Sequence, residues 1–172
     1  ITAVNDAPVA AIAPPGYAAT AYAPLSLQAA SGGLSIADAD AGSANVQATL
    51  GVTHGRLFAE AGTTGVAISG SATGALVLTG SVSAINALLT GSGGSTLSYL
   101  LQDDTPAASD TLVLTVDDLG QSGGSAQTAS DTATITITPL NRTHSLWLSG
   151  DAAGPVWNGL ATQGAGSIVQ LG

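Results

Sequence analysis

Residues 109–120 read Ser109-Asp110-Thr111-Leu112-Val113-Leu114-Thr115-Val116-Asp117-Asp118-Leu119-Gly120. In an extended chain Leu112, Leu114 and Val116 share one face and Thr111, Val113 and Thr115 the other, the period-two pattern of a strand with one buried side. The run closes on two adjacent carboxylates and a turn glycine. No lysine or arginine stands near Asp117 and Asp118, so their charge needs solvent or a cation, and calcium is the natural candidate.

Outward from this strand the alternation continues. Asp131-Thr132-Ala133-Thr134-Ile135-Thr136-Ile137-Thr138 repeats it, and residues 121–130 read as a polar, glycine-containing hairpin loop, so the two strands pair by adjacency. On the other side, residues 96–101 are extended and Gln102-Asp103-Asp104-Thr105-Pro106 forms an acidic loop. Further back, Val46, Ala48, Leu50 and Val52 alternate into a strand that turns at His54-Gly55 into Arg56-Leu57-Phe58. Val66-Ala67-Ile68-Ser69 and Ala75-Leu76-Val77-Leu78-Thr79 add two more, a succession expected of a sandwich.

One segment has a different period. In residues 81–89 the apolar Val82, Ile85, Leu88 and Leu89 recur at helical spacing behind Ser81, a good N-cap, which predicts a two-turn helix bridging the sheets. Gly91-Ser92-Gly93-Gly94 ends it; without a lysine, these glycines read as turn residues and not as a phosphate loop.

Nearer the start, Asn5-Asp6-Ala7-Pro8 reads as a boundary, because Asn and Asp favour turns and Pro8 holds Ala7 extended. Short strands follow over residues 10–13 and 17–22, broken at Pro14-Pro15-Gly16 and Pro24, then Leu25 and Leu27, and a turn at Ser31-Gly32-Gly33. Leu34-Ser35-Ile36 leads into Asp38-Ala39-Asp40. Carboxylates two residues apart can reach one ion from the same side. The plainer reading is a solvated loop whose aspartates cap their own backbone amides.

Composition restricts function. The chain has 172 residues, 23 of them glycine, with no cysteine and three per cent aromatic residues, so the core is thin and aliphatic. Charged residues make up eight per cent, against roughly a quarter in ordinary domains, and the net charge is −9. That balance excludes nucleic acid as a partner and disfavours an anionic membrane surface. No run of eighteen apolar residues is present, so no membrane insertion is expected. The first residues lack a basic start and an apolar stretch, so export signals are expected elsewhere. His54 and His144 stand in no metal motif and no serine in a nucleophile elbow, so no enzymatic activity is expected.

Near its end the chain repeats its beginning: Ile137-Thr138-Pro139-Leu140-Asn141 resembles Ile1-Thr2-Ala3-Val4-Asn5. Residues 1–140 therefore read as one domain and residues 141–172 as a C-terminal extension, the start of another module or an inter-subunit segment. The extension carries Trp147 and Trp157 and candidate strands at residues 145–148 and 167–171, too little for another sandwich.

Taken in order, Asn5-Asp6-Ala7-Pro8, residues 34–42, 81–89, 96–99 and 109–120 resemble the bacterial cadherin-like, immunoglobulin-like repeats of large secreted adhesins. The resemblance implies an all-β Greek-key sandwich with one short helix, tandem repetition at the cell surface, and calcium rigidifying the junctions. By position it implies metal-ligating roles for Asp6, Asp38, Asp40, Asp117 and Asp118. The chain departs from the pattern at Thr20-Ala21-Tyr22-Ala23, where related repeats place an acidic pair, and at Asn141-Arg142, where a cation replaces the linker aspartate.

Three functions follow as expectations. The first is a non-enzymatic, calcium-stiffened adhesin repeat whose partners are neighbouring repeats, or a surface protein or glycan. The second is a self-assembling subunit of an extracellular filament or sheath, joined by strand or tail exchange, because low charge leaves sheet edges poorly protected. The third is a carbohydrate-binding module using Trp147, Trp157, Tyr17 or Tyr22 as stacking platforms.

Overall fold

The computed structural model describes residues 4–13, 16–28, 33–120 and 124–140, and the backbone of two further strands at residues 143–147 and 158–162. Two compact units are formed, Ile1–Pro139 and Leu140–Gly172. The described residues are mostly β, with several sheets and one α-helix, an arrangement consistent with an all-β sandwich.

In the first unit the strands are β1 (Val9–Ile12), β2 (Gly16–Thr20), β3 (Leu25–Ser26), β4 (Leu34–Ala37), β5 (Asn45–Val52), β6 (Arg56–Glu60), β7 (Ala67–Ser69), β8 (Ala75–Ser81), β9 (Thr96–Leu100), β10 (Ser109–Asp117) and β11 (Thr128–Thr138). A six-stranded sheet has the order β2-β11-β10-β5-β8-β7, a three-stranded sheet the order β3-β9-β6, and β1 pairs with β4. The pairs are antiparallel except β2 with β11, which run parallel from Gly16↔Thr134 to Thr138↔Thr20. The hairpin expected from adjacency is present: β10 and β11 pair from Ser109↔Thr136 to Asp117↔Thr128.

That register corrects one boundary. Residues 121–130 read as a loop, yet Thr128, Ala129 and Ser130 are already strand, opposite Asp117, Val116 and Thr115. Their alternation of hydroxyl and alanine matches the pleat, and the partner strand supplies a ladder that propensity alone does not reveal.

Side-chain parity places the core. Leu112, Leu114 and Val116 of β10 and Val46, Ala48 and Leu50 of β5 are buried, as are Leu57 and Ala59 of β6 and Leu97 and Tyr99 of β9, so both larger sheets share one apolar cluster. Helix α1 (Val82–Leu89) adds Ile85, Leu88 and Leu89 to it, and the Ser81 hydroxyl accepts from the Ala84 N–H at 3.2 Å, the expected N-cap. Each fully buried aliphatic side chain contributes roughly 1.5–3 kcal/mol. No helix among the described residues is long and apolar enough to cross a membrane.

The second unit contains β12 (Thr143–Trp147) and β13 (Asn158–Thr162), antiparallel from Thr143↔Thr162 to Trp147↔Asn158. The readings at Pro14-Pro15, Ser31-Gly32, Asn141-Arg142, Trp157 and residues 167–171 lie outside the described residues.

Candidate functional site

Strand β10 is about 27 Å long at the usual rise per residue, and polar side chains gather at both of its ends. At the Asp117 end, the entry segment is held by hydrogen bonds. The Asn5 side-chain amide donates to Asp118 Oδ2 at 2.6 Å and to the Ser125 carbonyl at 3.0 Å, while Gln127 Nε2 donates to the Asn5 carbonyl at 2.6 Å. Asp118 Oδ1 accepts from the N–H groups of Gly120 and Gln127, both at 2.8 Å. Next along the chain, the Asp6 N–H donates to Asp40 Oδ2 at 2.5 Å. Two neighbouring residues, Asn5 and Asp6, thus connect the two acidic loops that sequence kept far apart.

The five predicted metal ligands therefore lie at one end of the unit, yet they have different surroundings. Asp38 Oδ1 accepts from the N–H groups of Asp40 and Ala41, both at 2.9 Å, the capping role of the plainer reading. Asp117 Oδ1 accepts from Leu119 N–H at 2.8 Å. Asp118 is only 2 % exposed. Burial by itself would raise its carboxyl, but the Gln127 and Gly120 N–H groups and the Asn5 amide hold it below the ordinary carboxylate range. Oriented N–H dipoles thus stabilise that charge from within the protein.

Calcium's fit to this end can be judged from its oxygens. Asn5 Oδ1 and Asp38 Oδ2 are buried without a hydrogen-bond partner, and calcium takes six to eight oxygen ligands of this kind. Among the described residues, however, no three acidic or histidine side chains converge closely enough to hold an ion by themselves. The donor chemistry fits, and the missing ligands would have to come from backbone carbonyls, water or a neighbouring chain.

At the other end of β10 stands a residue that the sequence reading passed over. Asp110 is 3 % exposed and on the core face. Its Oδ1 accepts from Thr53 N–H at 2.9 Å and Thr111 N–H at 2.7 Å; its Oδ2 accepts from His54 N–H at 3.1 Å, Gly55 N–H at 3.0 Å and the Tyr99 hydroxyl at 2.9 Å. Burial pushes this carboxyl up, and the N–H groups of Gly55, Thr53 and His54 with the Tyr99 hydroxyl outweigh it, leaving the group below its ordinary value. Tyr99, fully buried, is raised by burial first, then by its hydrogen bond to Asp110 and by the charge of that carboxylate. The signal for Asp110 was its parity: it shares an even-numbered face with Leu112, Leu114 and Val116, where a carboxylate has to be satisfied.

Beside this anchor, His54, Arg56, Leu100, Leu101 and Gln102 line a groove of about 230 Å³. His54 Nδ1 lies 3.6 Å from Asp110 Oδ1 with half of its side chain exposed. Of the aromatic residues read as stacking platforms, Tyr17 packs against the core with its hydroxyl buried and unpartnered, whereas Tyr22 donates from its hydroxyl to Asp104 Oδ1 at 2.9 Å. Comparison with protein-family models, curated proteins and solved structures finds no match to this chain.

Proposed function

We propose that this chain is a non-enzymatic structural repeat of a large bacterial surface adhesin, an extracellular immunoglobulin- or cadherin-like Greek-key sandwich stiffened by calcium where one repeat meets the next. The observation that carries this reading is directional. The chain enters the first unit at the Asp118 end, tied down through Asn5, and β11 leaves at the opposite end, where Ile137 N–H donates to Ala108 O and Ala21 N–H to Thr138 O. Domain termini often lie close together; entry and exit at opposite ends instead suit copies joined end to end and loaded along their length.

Calcium at the entry end would draw on Asp6, Asp40 and Asp117 together with Asn5 Oδ1 and Asp38 Oδ2. It would replace hydrogen bonds and thermal play in the linker with stiff oxygen coordination. The test is calorimetry of the full chain with calcium and with a chelator. A melting temperature that rises with calcium supports the reading, and an unchanged one removes the metal from it. Antibody labelling of intact producing cells tests the location: labelling only after permeabilisation would contradict a surface role.

The second reading, a filament subunit joined by strand exchange, has less behind it. Edge strands β3 and β7 span two and three residues and edge strand β6 carries Arg56 and Glu60, which leaves the five-residue, uncharged β2 as the edge of the six-stranded sheet open to such addition. Short and charged edges resist strand addition.

A further inference from the structure

We propose that the groove between the β5–β6 turn and the end of β9 binds the carboxylate of an acidic sugar, a hexuronate, with Arg56 as its principal contact. The site goes beyond the stalk reading and uses none of the residues assigned to calcium.

Arg56 stands out in a chain of net charge −9. His54 Nδ1 lies 3.6 Å from Asp110 Oδ1, whereas Arg56 has no Asp or Glu oxygen within 4.0 Å among the described residues. Its Nη1 donates to the Ala72 carbonyl at 3.2 Å, which orients the guanidinium and leaves further N–H donors for a ligand. A planar guanidinium pairs preferentially with carboxylate, in two parallel bonds.

The backbone that holds the lining residues is also unusual. Among the described residues three non-glycine residues have positive φ, Tyr22 (64°), Ala72 (67°) and Leu119 (59°), and two of them hydrogen-bond to residues that line the groove. Ala72 supplies the carbonyl that holds Arg56, and the Tyr22 N–H donates to Leu101 O at 2.7 Å. Left-handed backbone costs about 1–2 kcal/mol at such residues, and this kind of strain concentrates at ligand sites.

Size and charge narrow the ligand. The volume is below that of drug-sized pockets and suits a single sugar ring. The Gln102 amide can donate to and accept from hydroxyls, and Leu100 and Leu101 supply apolar contact. Asp103 and Asp104 follow Gln102; Thr105 N–H donates to Asp103 Oδ1 and the Tyr22 hydroxyl to Asp104 Oδ1. The negative charge of these two chain neighbours of Gln102 opposes any anion, and a doubly charged phosphate more than a singly charged carboxylate.

The experiment is a titration of the full chain, in chelator, with glucuronate, glucose, acetate and inorganic phosphate, followed by the NMR signals of Arg56, Gln102, Leu100 and Leu101. Glucuronate is expected to bind at least about tenfold more tightly than the other three, and Arg56→Gln to weaken it by about tenfold, the worth of one charge-assisted contact. Gln102→Ala, which removes no backbone partner, is expected to weaken it less, with an unchanged melting temperature in both variants. No binding, equal binding of acetate or phosphate, or full affinity in Arg56→Gln would each overturn the proposal.

Discussion

The buried Tyr99 hydroxyl donates to Asp110 Oδ2 at 2.9 Å, and through that carboxylate β9 is connected to the three successive N–H groups of the β5–β6 turn. One side chain on β10 thereby holds elements of both larger sheets. A charged acceptor makes such bonds stronger than neutral ones, about 1.5–3 kcal/mol each. Tyr99→Phe removes a single donor and is expected to cost about 2 kcal/mol in urea unfolding. Asp110→Ala orphans all of them, with an expected loss of about 3 kcal/mol or more. Equal, small losses in the two variants would contradict the anchoring role.

Acid should act through the same residue. The folded carboxyl of Asp110 is lower than its unfolded value, so between the two pKa values the unfolded chain binds the extra proton. The stabilisation is complete above the unfolded value, about 3.9, and is lost as pH falls through the folded one. Asp118 has the same sign. Urea midpoints measured from pH 7 to pH 2 should decline at the acid end, and Asp110→Asn should flatten that decline at a lower overall stability.

Gly55 is required for space. A Cβ there would come within 2.1 Å of the Tyr99 ring, which is fully buried and held by its hydrogen bond to Asp110. Gly55→Ala is expected to destabilise by about 2–3 kcal/mol through overpacking, whereas Gly51→Ala, where the same construction meets nothing within 4 Å, should be close to neutral. Thermal melts of the two variants provide the comparison.

The entry clamp gives a prediction separate from metal. Asn5→Ala removes the donor to Asp118 Oδ2 and Ser125 O. Limited proteolysis in chelator should then cut residues 4–8 several-fold faster than in the parent chain, with the core melting temperature little changed. Ser81→Ala serves as a contrast: loss of the N-cap is expected to cost about 1 kcal/mol of global stability and to leave that cleavage rate as it was.

Much of this architecture was written locally. The parity of Leu112, Leu114 and Val116, the helical spacing of Val82, Ile85, Leu88 and Leu89 behind Ser81, and the turn residues between runs are short-range properties, dictated by the two-residue strand period and the 3.6-residue helix period. For the same reason the β10–β11 hairpin followed from adjacency. Tertiary structure decided what depends on distant partners: the parallel pairing of β2 with β11, the convergence of Asn5 and Asp6 on Asp118 and Asp40 across more than thirty residues, and the use of Asp110 as an internal anchor. A carboxylate's role is set by the N–H groups that surround it, and those come from loops whose meeting no local period encodes. Sequence identified which residues carry charge; the fold determined which of those charges are already satisfied by the protein itself.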